Sequence, residues 1–177
     1  MGSPSWNLVI IIMLVLITGY GFILQKEKAA ATLISTYVAL VVTTFWGQKV
    51  YDILSGNTIL FNQVWFRANL NPFTVKILLF ASFIVLLSLK GEYISSRLGT
   101  IGSAFLLFLY SFLNAALIVS SIMSFMDDST RMNLISNSNM ANLLYRYHDW
   151  WIILPAIVLI VAGFKKRTYA QDERERP

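Results

Sequence analysis

The single histidine of this 177-residue chain stands beside an aspartate, in Arg146-Tyr147-His148-Asp149-Trp150. A histidine next to a carboxylate can move protons near neutral pH, provided both side chains reach the same atoms. Sequence neighbours generally point apart, however, and no helper motif accompanies this pair. There is no nucleophile elbow, no glycine-rich phosphate loop and no paired-carboxylate motif. Cysteine is absent, which removes thiolate nucleophiles, thiolate metal ligands and disulfides. No catalytic residue, cofactor site or metal site is therefore expected, and the chain reads as a non-enzyme. His148 reads as a headgroup-level residue, and Asp127 and Asp128 as the outer end of an apolar run.

Other polar residues lie inside long apolar runs. Asn114 sits near the middle of one, with Tyr110 four residues before it. A polar group in hydrocarbon is costly, so such a residue marks either an interhelical hydrogen bond or a solute path. Thr18 and Tyr20 lie in another run. Lys76 lies about one turn into a third, close enough to snorkel to the interface. No Asp or Glu lies deep in any run, which argues against a proton- or sodium-coupled transporter.

Small residues form a second pattern. Ala31, Ser35, Ala39, Thr43 and Gly47 recur every four positions, making one continuous stripe on a helix. Ala116, Ser120 and Ser124 form a similar stripe, with Gly99 and Ser103 near the start of their run. Apolar burial cannot drive helices together in lipid, so close approach along such stripes supplies the packing. They predict a seam within the chain or an interface between copies of it.

The elements that carry these residues are apolar segments at about 6–24, 29–46, 73–89, 100–126 and 150–164. The chain is 56% hydrophobic and only 13% charged, whereas soluble domains have about 25% charged residues. A soluble fold of this size could not hide so much apolar surface. A helix needs roughly 20 apolar residues to cross a bilayer, and the first four segments meet or approach that. The fifth, about 15 residues or ~22 Å long, crosses if Trp150 and Trp151 anchor one interface and Lys165, Lys166 and Arg167 snorkel to the other. A re-entrant segment is the alternative.

The expected fold is an all-α polytopic membrane bundle of about five transmembrane helices, forming one domain over 1–167. Residues 168–177 read as a disordered charged tail. One or two interfacial amphipathic helices are expected in addition. They are 59–66, with Phe61, Trp65 and Phe66, and 140–151, with Met140, Leu143, Leu144, Tyr147 and Trp151 at helical spacing.

The net charge of +5 lies mostly in short segments beside the apolar runs. That is the habit of topology-setting residues, so the partner it implies is the bilayer and not nucleic acid. The flank of the first run, Lys26 and Lys28, predicts an external N-terminus. Five crossings then place Lys26, Lys28, Lys90, Arg97, Lys165, Lys166, Arg167, Arg174 and Arg176 inside. Lys49, Arg67, Lys76, Arg131 and Arg146 fall outside. The excess is cytoplasmic, as the rule requires, and the C-terminus is expected there too.

The stretch Ser95–Phe125 resembles the colicin V production protein (CvpA) family. In that family a short cytoplasmic turn ends in an Asp-Arg-x-Leu-Gly-like motif and leads into a glycine-rich membrane helix. Arg97, Leu98, Gly99 and Gly102 fit, with Ser96 where the acid would stand. The opening run with Gly19, Gly21 and Phe22, followed by a short charged turn, has the family's layout. Two features depart from it. The turn is Gln25-Lys26-Glu27-Lys28, without the family's Arg-Gly pair, and the family has four spans where five are expected here. The likeness implies a bacterial inner-membrane scaffold or accessory protein linked to toxin production or export, or to envelope maintenance. It brings no catalytic residues. The alternative from the residues themselves is a small channel or transporter subunit, oligomeric and lined by Asn114 and Tyr110. Partners would be other membrane proteins or further copies of the chain.

Overall fold

A computed structural model describes residues 5–23, 26–55, 71–89 and 104–172, with 26, 27 and 162–172 described by backbone alone. Helix α1 (Trp6–Ile23) starts at Ser5, whose hydroxyl accepts the Leu8 N–H at 3.2 Å. That satisfies one orphan donor before the chain enters its apolar run. Helix α2 is Lys26–Leu54. Helix α3 (Pro72–Leu89) is started by Asn71, whose side chain accepts the Phe73 N–H at 3.1 Å. Pro72 takes the first helical position, where its missing N–H is no loss. Helix α4 is Ala104–Phe125. Three more follow: α5 (Asp128–Asn137), α6 (Asn139–Arg146) and α7 (His148–Asp172). The described residues contain no strand.

The fold is therefore an all-helical membrane bundle. Helices α1 to α4 are each long and apolar enough to cross a bilayer, and α6 with α7 makes a fifth candidate, bent by 62°. Helix α4 is the central rod, packing against α1, α2, α3, α6 and α7. Its burial covers more than one face, from Leu107 to Phe125, whereas α1 buries only Ile10. Helix α1 packs chiefly on α4 and α3 chiefly on α2. This leaves a cleft between α1 and α3, floored by α4. Outward-facing residues such as Val15, Leu16, Phe45, Leu86, Phe105 and Ile160 are mostly apolar and exposed, as a lipid-facing belt requires.

One end of the bundle is closed by α5 and α6. Asp127 caps α5 by accepting the Thr130 N–H at 2.9 Å, and Ser138 caps α6 by accepting the Ala141 N–H at 3.1 Å. Asn7 Oδ1 accepts from the Ser138 hydroxyl at 2.7 Å and from the Met140 N–H at 3.1 Å, pinning the start of α1 to the start of α6. Arg131 pairs with Asp128 and lies over the Tyr145 ring at 5.2 Å, which joins α5 to α6. Ala141 and Leu144 then sit in a core with Ile10, Ala116, Val119 and Met123.

Several boundaries differ from the sequence expectation. Helix α2 does not stop near residue 46 but runs to Leu54, and its 29 residues span roughly 43 Å. Apolarity ends at Trp46, but nothing in Gly47–Leu54 breaks a helix. Lys49 packs over Trp46 at 5.2 Å, and Gln48 bonds Asp52 at 3.1 Å across one turn. The 140–151 segment is two helices meeting at Tyr147 rather than one. Both halves still bury the same side, with Leu144 in the core and Trp151 packed against it. Asp127 and Asp128 do more than end α4, because Asp127 starts a helix of its own. Helix α7 continues to Asp172, so 168–172 is helical where a disordered tail was expected. No Gly or Pro interrupts Thr168–Asp172. The 59–66 segment lies outside the described residues.

Candidate functional site

Several hydroxyls within the spans bond to their own helix. Thr32 donates to the Lys28 carbonyl at 2.9 Å, Ser35 to Ala31 at 2.9 Å and Thr36 to Thr32 at 3.0 Å. On α4, Ser120 and Ser121 both donate to the Leu117 carbonyl, at 3.1 and 2.7 Å. Such back-bonding lets a small polar residue sit at membrane depth without a partner from another helix. These groups are structural.

The first stripe is an intrachain seam. Ala31, Ser35, Ala39 and Thr43 are each at most 2% exposed, and Gly47 is buried as well. Ala39 packs in a core with Phe80 of α3 and Phe125 of α4, whose rings meet edge-on at 5.5 Å. A Cβ on Gly47 would stand 2.9 Å from Lys76 Cγ, so the bare backbone makes room for the lysine stem. On the second stripe, Ala116 and Ser120 are buried, while Gly99 and Ser103 lie outside the described residues. The first stripe is thus not available as a surface for another copy.

Two tyrosines hold α7. The Tyr37 hydroxyl of α2 donates to the Ile152 carbonyl, and the Tyr110 hydroxyl of α4 donates to the Val158 carbonyl at 3.2 Å. Between these carbonyls lies Pro155, buried inside the helix. Proline offers no N–H to the carbonyl four residues back and crowds it. In lipid, such a break is tolerated when neighbouring helices supply donors near it. Tyr110 is therefore a bundle clamp through its hydroxyl.

Asn114 differs. With Tyr110, Ser111 and Ile118 of α4, it lines a cavity of about 180 Å³ bounded by Ile17, Tyr20 and Gly21 of α1, Ala29 and Thr32 of α2, and Ile84 of α3. Ser111 and Asn114 are 4% and 7% exposed, and neither Ser111 Oγ nor Asn114 Oδ1 has a hydrogen-bond partner. A second cavity of about 260 Å³ continues towards the Lys28 end of the bundle. It shares Tyr20, Thr32 and Ile84 with the first and adds Lys28, Val85, Ser88 and Leu89. Ser88 Oγ is likewise buried and unpartnered. The two cavities adjoin at Tyr20, Thr32 and Ile84, with Lys28 and Ser88 lining one and Ser111 and Asn114 the other.

The sequence singled out Asn114 and Tyr110, and the structure brings both to this cleft. It passed over Ser111, Thr32 and Ser88. Ser111 had a readable signal, since it lies three positions before Asn114 on the same face. Thr32 and Ser88 had none, because only the packing of α2 against α3 brings them to one wall. Of the topology residues, Lys28 lines the lower cavity. Lys90 and Arg97 fall outside the described residues, and Lys26, Lys165, Lys166 and Arg167 are described by backbone alone. His148 opens α7, partly buried, with Asp149 exposed beside it. Among the described residues no three His, Asp, Glu or Cys side chains gather into a metal-binding group.

No protein-family model matches the chain, and no match to it was found among curated proteins or solved structures.

Proposed function

We propose that the chain is a non-enzymatic accessory or scaffold protein of a bacterial inner membrane, as its likeness to the CvpA family implies. That likeness extends the reading to toxin production or export, or to envelope maintenance. One observation favours the scaffold role over an oligomeric pore: among the described residues the bundle's packing devices are used within the chain. Its small-residue stripe, its interhelical hydrogen bonds and its proline break are all used within the chain, as the buried Ala31–Thr43 line and the Tyr37 and Tyr110 bonds illustrate. In this reading the N-terminus faces outward and the C-terminus the cytoplasm, supported by the lysine and arginine distribution. The exposed apolar belt meets lipid and other membrane proteins.

A second reading is favoured by a different observation. The unpartnered Asn114 and Ser111 in a cleft suit a small channel or transporter subunit. Purification of the tagged chain from native membranes in mild detergent separates the two. A scaffold brings down a defined second membrane protein in constant proportion. Recovery of only the chain itself, as a homo-oligomer, contradicts the scaffold reading and favours the channel.

A further inference from the structure

The cleft between α1 and α3 makes a demand on whatever fills it. Ser111 Oγ and Asn114 Oδ1 line its deep part and Ser88 Oγ its lower part, all buried and without hydrogen-bond partners among the described residues. Leaving a buried polar group unpaired forfeits the hydrogen bonds it makes in water. A lipid tail would leave each of them unpaired. Water pairs them, and polar residues at membrane depth ordinarily face a wet cavity or one another. The dimensions agree: a site takes water when it has more than about 10–15 Å³ of room and two to four polar partners, and these cavities measure about 180 and 260 Å³. The opposite direction is closed. Beyond Ile118 the helices meet in the Ala39–Phe80–Phe125 core, with Phe83 and Ile122 packed on it.

We propose that water and small uncharged hydrogen-bonding molecules enter this cleft from the Lys28 end and travel as far as Asn114, where it ends blindly. Thr32, with Tyr20 and Ile84, lines both cavities and stands where they adjoin. Gly21 keeps the deep part narrow by letting α1 lie directly on Ser111. The absence of any carboxylate from the lining residues suits an uncharged occupant better than a cation. The inference stands independently of the scaffold reading, since a wet cleft is compatible with a partner or without one.

The cysteine-free chain allows a direct test on the full-length protein in membranes. Single-cysteine variants Ser111→Cys, Thr32→Cys and Ser88→Cys are treated with a small uncharged, water-soluble methanethiosulfonate, and Ser120→Cys on the buried stripe is the control. Only the thiolate reacts, and it forms only where water reaches it, so Ser111→Cys and Thr32→Cys should react more than about a hundredfold faster than Ser120→Cys. They should do so only from the membrane face that labels Gln171→Cys, at the end of α7 on the Lys28 side. Adding Thr32→Phe should return the rate at Ser111→Cys towards that of the control. The rate at Ser88→Cys in the same background should persist, which shows that the fold survives the plug. Labelling of Ser111→Cys by a lipid-soluble maleimide but not by the water-soluble reagent would mean the cleft holds lipid, and would overturn the proposal. Failure of both reagents would mean the cleft is closed, and overturns it equally.

Discussion

A Cβ added to Gly21 of α1 would stand 2.8 Å from Ser111 Oγ, 2.9 Å from Ser111 Cβ and 3.4 Å from Ser111 Cα of α4. The Gly21 backbone lies there directly against the Ser111 side chain, beside the cavity that Asn114 also lines. Gly19, two residues earlier, has open space where its Cβ would go. The glycines of α1 therefore differ in role, although the sequence shows them as a pair.

Gly21→Ala is expected to destabilise the bundle by about 1–3 kcal/mol, the usual cost of overpacking a close contact. Thermal unfolding in detergent should show a lowered midpoint, and Ser111→Gly in the same chain should restore much of it. Gly47→Ala should cost less. Its new methyl meets the Lys76 side chain, which can swing aside, whereas at Gly21 the obstacle includes Ser111 backbone. Equal losses at the two glycines would show that helix contact at Gly21 is looser than described.

The tyrosine clamp on α7 makes a separate prediction. Tyr37→Phe should lower stability by about 0.6 kcal/mol, the average measured for interhelical hydrogen bonds in a membrane protein. Its acceptor, Ile152, follows the Trp151 carbonyl that Pro155 leaves without an N–H, so the loss should shrink when Pro155→Ala restores that bond and straightens the ladder around Ile152. A double-mutant cycle read by thermal unfolding checks this coupling. An unchanged loss in the Pro155→Ala background would separate the Tyr37 bond from the break.

Asp127 gives the pH dependence. Bonds from Ser129 and Thr130 hold its carboxyl well below the usual value, at about 2. A depressed pKa means the stabilisation is fully present above the unfolded value near 4 and is lost as pH falls through about 2. Amide exchange at Thr130 should therefore be constant from pH 5 to 8 after correction for intrinsic rates, and protection should fall towards pH 2. Asp127→Ala should remove the protection at all pH values, while Asp127→Asn should keep part of it as a competent cap.

The membrane bundle was legible because its signal is bulk apolarity over whole segments, and the Ala31–Gly47 stripe because helical spacing alone defines it. Helix ends were less legible. Apolarity stops at Trp46, but α2 stops at Leu54, since a helix ends where its backbone is capped or broken and not where it leaves lipid. The bend at Tyr147 was hidden because Leu144 and Trp151 bury against one core on both sides of it. Asn114 could be flagged by its depth alone. Thr32 and Ser88 could not, because their place in the cleft depends on how α2 and α3 pack, a relation no local spacing encodes.

The proposed five-crossing bundle, with termini on opposite faces, is the claim on which the proposed reading depends. Single cysteines at Ser136, exposed on α5, and at Gln171, near the end of α7, test it with an impermeant thiol reagent applied to intact cells and to inverted vesicles. Ser136→Cys should label only from the cell exterior and Gln171→Cys only in inverted vesicles. Labelling of both residues from the same face would contradict the fifth crossing, and labelling with the faces exchanged would contradict the orientation.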